Sequence, residues 1–91
     1  MNIISTLKPE DLTDLLCNPN EWLDDEEDYQ LAIITHPDCK YYIFAGVDED
    51  GFYLILEDDD HSAYYYPKEE NKTMIDLYTI LFNKARNKEE F

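Results

Sequence analysis

The chain has 91 residues and a formal net charge of −15, with 22 acidic side chains against seven basic ones. This length is that of one small domain, so we expect residues 1–91 to form a single acidic domain. Aromatic residues make up 14% of the chain, which indicates a folded protein, since disordered acidic segments are poor in aromatics. The charge is repelled by anionic lipids and by phosphates, which argues against direct membrane or nucleic acid binding.

The acidic excess is concentrated in one part of the chain. Between Pro9 and Pro67 there are 17 acidic residues and one basic residue, Lys40, whereas residues 68–91 hold five of each sign. Such an excess destabilises a fold through self-repulsion, so we expect a function outside the chain to account for it. The alternative is a solvated acidic surface that serves solubility alone.

Targeting signals and disulfides are not indicated. The N-terminus lacks the basic residues and the apolar run of a secretory signal, and no apolar stretch approaches the ~20 residues that cross a bilayer. Two cysteines, Cys17 and Cys39, are too few for a disulfide framework. We expect a cytoplasmic protein, and the Lys, Asn, Ile and Tyr usage is typical of an AT-rich bacterial or phage coding sequence.

The first predicted element is a short helix over residues 9–16. Proline at its first position, two acidic residues in its first turn and leucines at i, i+3 and i+4 spacing are all helix signals. A further helical turn is predicted around Trp22. Five consecutive carboxylates follow and predict an exposed loop, because they repel one another.

Four strands are predicted next, over residues 29–35, 41–47, 52–57 and 63–66, which are rich in β-branched and aromatic residues. The turn before the third strand contains Gly51, which can adopt the positive φ that a hairpin requires. A C-terminal helix is predicted from Thr73, a suitable N-cap with Asp76 at the third helical position. Its apolar residues repeat at helical spacing through Ala85.

The predicted order of elements, α-β-β-β-β-α, indicates an α+β fold. We expect an antiparallel β-meander of three to four strands, with the short N-terminal helix and the C-terminal helix packed on one face. Alternation in the second and third strands makes both faces apolar. The second face is rich in tyrosine, as protein interfaces are, so a partner protein or a second copy forming a homodimer is expected to cover it.

The candidate binding residues are three acidic clusters: Asp24, Asp25, Glu26, Glu27 and Asp28; Asp48, Glu49 and Asp50; and Glu57, Asp58, Asp59 and Asp60. In a meander the second and third clusters lie at opposite ends of one strand, roughly 23 Å apart at ~3.3 Å per residue. Carboxylates fixed along such a ridge can imitate the phosphates of DNA, which carries one charge per ~1.7 Å of axis. Apolar anchors would come from Trp22, Tyr42, Tyr53 and Tyr65.

Small, very acidic, tyrosine-containing domains of this size resemble the DNA-mimic inhibitors of bacteriophages and mobile elements. Members of that class block uracil-DNA glycosylase, restriction enzymes, CRISPR effectors or nucleoid proteins. The resemblance covers charge, size and aromatic content over residues 9–67. The neutral C-terminal helix departs from it, so we expect that helix to serve as a scaffold. It implies an inhibitor that occupies the basic DNA-binding surface of a host protein, with no enzymatic activity and no cofactor.

Alternatives from other classes are an immunity or antitoxin protein that neutralises a basic toxin, and a calcium-binding domain. For calcium, Gly46, Asp48, Asp50, Gly51 and Glu57 match positions 1, 3, 5, 6 and 12 of an EF-hand loop, but position 1 requires a carboxylate. His36, Asp38 and Cys39 share one turn. A reactive cysteine needs electropositive surroundings and a zinc site needs about four ligands, so neither is expected here.

Overall fold

The computed structural model describes residues 1–89, which form an antiparallel five-stranded sheet with four helices, an α+β fold. The strands lie in chain order across the sheet: β1 (Asn2–Ser5), β2 (Tyr29–Thr35), β3 (Lys40–Asp48), β4 (Gly51–Glu57) and β5 (Ser62–Tyr65). The helices are α1 (Pro9–Cys17), α2 (Pro19–Trp22), α3 (Pro67–Glu70) and α4 (Met74–Arg86).

The predicted meander and its two flanking helices are confirmed, but the sheet has five strands and not three to four. The additional strand, β1, pairs antiparallel with β2 and forms one edge of the sheet. The hydroxyl of Thr6, just beyond the strand, donates to the backbone carbonyl of Gln30 on β2. A four-residue exposed strand has no burial pattern of its own, so its backbone pairing with β2 defines it. Helix α3 was also not predicted.

The core lies between one face of the sheet and helices α1 and α4. Ile43 pairs with Leu56 and Ala45 with Leu54 across β3 and β4, and all four side chains are inaccessible to solvent. Helix α1 contributes its buried leucines, and α4 contributes a stripe at helical spacing: Met74, Leu77, Leu81 and Ala85. The expected packing of both helices on one face is therefore observed.

The C-terminal end of α4 is bonded to the turn between β2 and β3. The His36 Nε2 atom lies 2.7 Å from the carbonyl oxygen of Ala85, and the Lys88 ammonium donates to both carboxylate oxygens of Asp38 at 2.7 Å. The last carbonyls of a helix have no partner within it, and His36 satisfies one of them. His36 and Asp38, which the sequence analysis considered for a reactive or zinc-binding turn, therefore join the helix to the sheet.

No helix among residues 1–89 is long and apolar enough to cross a membrane.

The N-cap of α4 is the local contact that the sequence predicted most directly, and it can be tested. The backbone N–H of Asp76 donates to the Thr73 hydroxyl at 3.1 Å. We expect Thr73→Ala to lower the free energy of unfolding by about 1 kcal/mol, because it leaves a helix donor unsatisfied. Urea denaturation followed by circular dichroism measures this change.

Thr79→Ala is the matched control, because the Thr79 hydroxyl donates to the carbonyl of Ile75 inside the helix and caps nothing. We expect it to stay within about 0.5 kcal/mol of the wild type. Equal losses for the two variants would show that the Thr73 hydroxyl does not act as a cap.

Candidate functional site

The face of the sheet opposite α1 and α4, here called the outer face, is apolar and aromatic. Two rows of paired residues cross it, one through Ile4, Ile33 and Tyr42 and the next through Phe44, Ile55 and Tyr64. Tyr64 is 56% and Ile4 47% exposed. The rings of Tyr42 and Phe44 stack with centroids 6.4 Å apart. This face confirms the predicted second apolar surface.

Two of the three acidic clusters meet at one end of the sheet. The loop of residues 24–28 leads into the start of β2, and the turn of residues 48–50 follows β3, which is antiparallel to β2. A concavity of about 220 Å³ is lined there by the five carboxylates of the loop together with Val47 and Tyr53. This part of the molecule is called the double-cluster end.

Tyrosine hydroxyls bind two carboxylates at the double-cluster end. Tyr53 donates to Asp28 Oδ1 at 2.6 Å, and Tyr66 donates to Asp48 Oδ2 at 2.7 Å. The two rings are in edge contact, with centroids 5.7 Å apart. Gly46 makes room for this arrangement, since a Cβ atom there would lie 2.5 Å from the Tyr53 hydroxyl oxygen and 2.3 Å from Asp28 Oδ1.

Both tyrosine pKa values are raised. For Tyr66 the hydrogen bond to Asp48 is the main cause and raises the pKa to about 12. For Tyr53 burial is the main cause, followed by the hydrogen bond to Asp28, and the pKa lies well above the usual range. Both hydroxyls therefore remain protonated near neutral pH and keep donating to the carboxylates.

The third cluster lies at the opposite end of the sheet, here called the single-cluster end. Glu57 pairs with Tyr42 and so shares the outer face. Asp58 Oδ1 accepts the backbone N–H groups of Asp60 at 2.8 Å and His61 at 2.7 Å. Partial burial opposes the ionisation of Asp58, yet these two donors outweigh it and lower the pKa of the carboxyl.

Each acidic cluster contains an aspartate that stabilises its own turn. Asp24 accepts the N–H of Glu26 at 3.0 Å and Asp48 accepts that of Asp50 at 2.8 Å, as Asp58 does with Asp60. This pattern is the Asx turn, in which the side chain bonds the backbone two residues on. The clusters are therefore hydrogen-bonded turns in which one aspartate carboxylate has a fixed position.

The sequence suggested that the acidic clusters form one continuous ridge, but in the structure they do not. Six residue steps of β4 separate Gly51, which pairs with Asp48, from Glu57, a span of about 20 Å at ~3.3 Å per residue. Between them the outer face is apolar. The site is thus an aromatic surface with acidic groups at both ends.

Two predicted anchors lie elsewhere. Tyr65 pairs with Leu54, so its side chain is on the helix side of the sheet, whereas the outer face carries Tyr64. The Trp22 indole donates to Asp14 at 2.8 Å, and its ring packs beside the core on the helix side. Tyr42 and Tyr53 are on the outer face as predicted. Tyr64 and Tyr66 were missed because the face of β5 depends on its pairing, and Ile33 because the face of β2 depends on its register with β3.

The calcium alternative does not fit this geometry. Asp48 and Gly51 close the β3–β4 hairpin, with Gly51 at φ 118°, and Glu57 lies at the other end of β4. The flanking elements are strands, not the helices of an EF-hand. Among residues 1–89 no group of three or more His, Cys, Asp and Glu side chains is placed to hold a metal ion.

The Cys39 thiol does not have the setting of a nucleophile. Burial raises its pKa, and the neighbouring charge of Asp38 raises it further. Reactive thiolates form where positive groups lower the pKa, and the surroundings of Cys39 shift it the other way.

Comparisons of the chain with protein-family models, with curated proteins and with solved structures find no match.

The bond between Tyr66 and Asp48 predicts a specific titration. With a pKa of about 12 against an ordinary value of 10.0, the stabilisation from this bond is complete below pH 10 and is lost as the pH rises through 12. We expect Asp48→Asn to lower the Tyr66 pKa towards its ordinary value, since asparagine keeps the turn but carries no charge. The carbon chemical shift of the Tyr66 ring followed against pH measures this change.

Asp50→Asn is the control, because Asp50 raises the pKa of Tyr66 only through its charge. A smaller decrease is expected for it. If both variants lowered the Tyr66 pKa equally, the general negative field and not the hydrogen bond would be the cause.

Proposed function

We propose that this protein is an inhibitor that binds the basic nucleic-acid-binding surface of a host protein and blocks DNA binding there. The observation that carries the proposal is the outer face, an aromatic surface with fixed carboxylates at both ends. Asp28, Asp48 and Glu57 are all on or beside this face, and the first two are held by tyrosine hydroxyls. A partner of complementary shape and charge presents Lys and Arg on both sides of an apolar centre.

The span between the two acidic ends is compatible with competition against DNA. About 20 Å of duplex axis carries about 12 phosphate charges at ~1.7 Å per charge. A protein that binds such a stretch has basic residues over the same length. The acidic ends of the outer face would occupy those residues, so binding of this protein and binding of DNA would exclude each other.

The two kinds of surface residue contribute differently to such binding. Excess negative charge attracts a basic partner over long distances and raises the association rate. Once bound, the desolvated aromatic side chains, among them Tyr42, Phe44 and Tyr64, determine how slowly the complex dissociates. The aromatic surface is weakly hydrated, so it would favour a basic protein with an apolar contact surface over small cations.

A second copy of this chain is a poor occupant of the outer face. Two copies packed face to face would bring their acidic ends within reach of each other, and each copy has a formal net charge of −15. Like charges placed together at an interface cost several kcal/mol. We therefore assign the outer face to a basic partner. An inhibitor of this class would meet that partner in the cytoplasm of a bacterial host cell.

The test begins by capturing bacterial proteins on the immobilised chain at low salt and eluting them with a salt gradient. Proteins that a polyglutamate resin releases only at the same or a higher salt concentration are discarded. We expect a captured DNA-binding protein to be displaced by duplex DNA, because both ligands need the same basic surface. A specific partner that has no affinity for DNA would contradict mimicry and would favour the immunity or antitoxin function.

Charge-neutralising variants then test the location of the site. Asp25→Asn, Glu26→Gln and Glu27→Gln together remove three charges from the double-cluster end. We expect at least about a tenfold loss of affinity for the captured protein and a shallower salt dependence. The matched control removes three charges from the helix side, with Glu10→Gln, Asp11→Asn and Glu21→Gln. Equal losses from the two sets would show that net charge alone, and not the outer face, mediates binding.

A further inference from the structure

Apart from its shortness, the edge strand β1 has none of the features that normally prevent edge-to-edge pairing. Its four residues are Asn2, Ile3, Ile4 and Ser5, without a charge, a proline or a bulge, and all four are exposed. Natural proteins protect such edges with charged side chains, proline, bulges or a covering element. In residues 1–89 no strand pairs with β1 on the side away from β2.

The other edge of the sheet has strongly charged surroundings. Strand β5 follows the acidic turn of residues 58–60 and is succeeded by Pro67 and then by charged residues of α3. Residues 1–7, in contrast, contain no charged side chain, although the whole chain has 22 acidic ones. The uncharged run therefore coincides with the unprotected edge.

An apolar groove of about 320 Å³ runs along the helix side of β1. It is lined by Ile3 and Ser5 of β1, by Pro9 and Leu12 of α1, and by Tyr78 and Phe82 of α4, with Ala32 and Thr79 completing it. Ile3 remains 42% exposed beside the groove. A strand pair of four residues buries too little surface for a stable dimer, which needs about 1,200 Å² in total. The adjoining groove supplies further apolar surface at the same edge.

We propose that β1 pairs antiparallel with β1 of a second copy of this chain, so that the two sheets join into one. A two-fold axis between the strands makes the contact self-complementary, as in most homodimers. Ile3 of each copy would extend the apolar contact on the helix side, and Ile4 would do so on the outer face. The free N–H and C=O groups of the edge would then be satisfied.

Charge distribution favours this edge over any other contact between two copies. Strand spacing of ~4.8 Å places the two copies of β2 about 14 Å apart, beyond the ~8 Å Debye length at physiological salt. The two copies of Glu57 would be about 34 Å apart, and the two-fold axis reverses the second sheet, so equivalent acidic ends point in opposite directions. The paired edges themselves carry no charged side chain to repel.

The test is the mass of the protein in solution, measured by sedimentation velocity over a range of concentrations. We expect the wild type to have the mass of two chains, with association strengthened by added salt because salt screens the remaining repulsion. Ile4→Lys should weaken association at least about tenfold, since lysine on an edge strand opposes pairing. Tyr64→Lys, at an exposed residue on the opposite edge strand β5, is the matched control and should leave association unchanged.

Circular dichroism establishes that each variant is folded, and hydrogen exchange supplies a second measurement on the wild type. We expect the β1 amides to become more protected as the protein concentration rises. A wild type that stays monomeric at millimolar concentration and high salt would overturn the proposal. So would a dimer that Ile4→Lys leaves intact, or one that Tyr64→Lys dissociates to the same extent.

Discussion

Repulsion among carboxylates is the constraint on which the rest of this structure depends. Residues 9–67 carry an excess of 16 negative charges, yet they contain the four strands that build most of the sheet. The fold tolerates this charge because the clusters are confined to loops and turns at the sheet ends, where water screens them. The apolar residues of β3 and β4 are left free to form the core with α1 and α4. Charge and core are separated along each strand.

The acidic turns are also locally stabilised, which makes their geometry definite. Each cluster contains an aspartate that accepts a backbone N–H, and two carboxylates at the double-cluster end accept a tyrosine hydroxyl. These bonds fix the positions of the carboxylates that accept them. Tyrosine therefore contributes in two ways: its ring adds to the aromatic face, and its hydroxyl positions a carboxylate. Tyr53 and Tyr66 do both at the double-cluster end.

Much of the fold could be predicted from the sequence, because runs of acidic residues divide segments rich in β-branched and aromatic residues. Those runs mark the ends of β2, β3 and β4, and Thr73 marks the start of α4. Strand β1 could not be predicted, since its four residues are defined only by pairing with β2. The face that Tyr65 occupies could not be predicted, because it depends on the register of β5 with β4, which the turn of residues 58–61 sets. The bond from Trp22 to Asp14 was not predicted, because the two residues lie on different helices.

We proposed that the outer face, and not the acidic surface as a whole, binds a basic partner. Nuclear magnetic resonance of the labelled chain, titrated with a captured DNA-binding protein, tests it most directly. The account predicts shifts confined to outer-face residues and both acidic ends, with signals of α1 unchanged, and reversal of these shifts by duplex DNA. Shifts spread evenly over all acidic segments, including the exposed side of α1, or shifts that duplex DNA does not reverse, would contradict it.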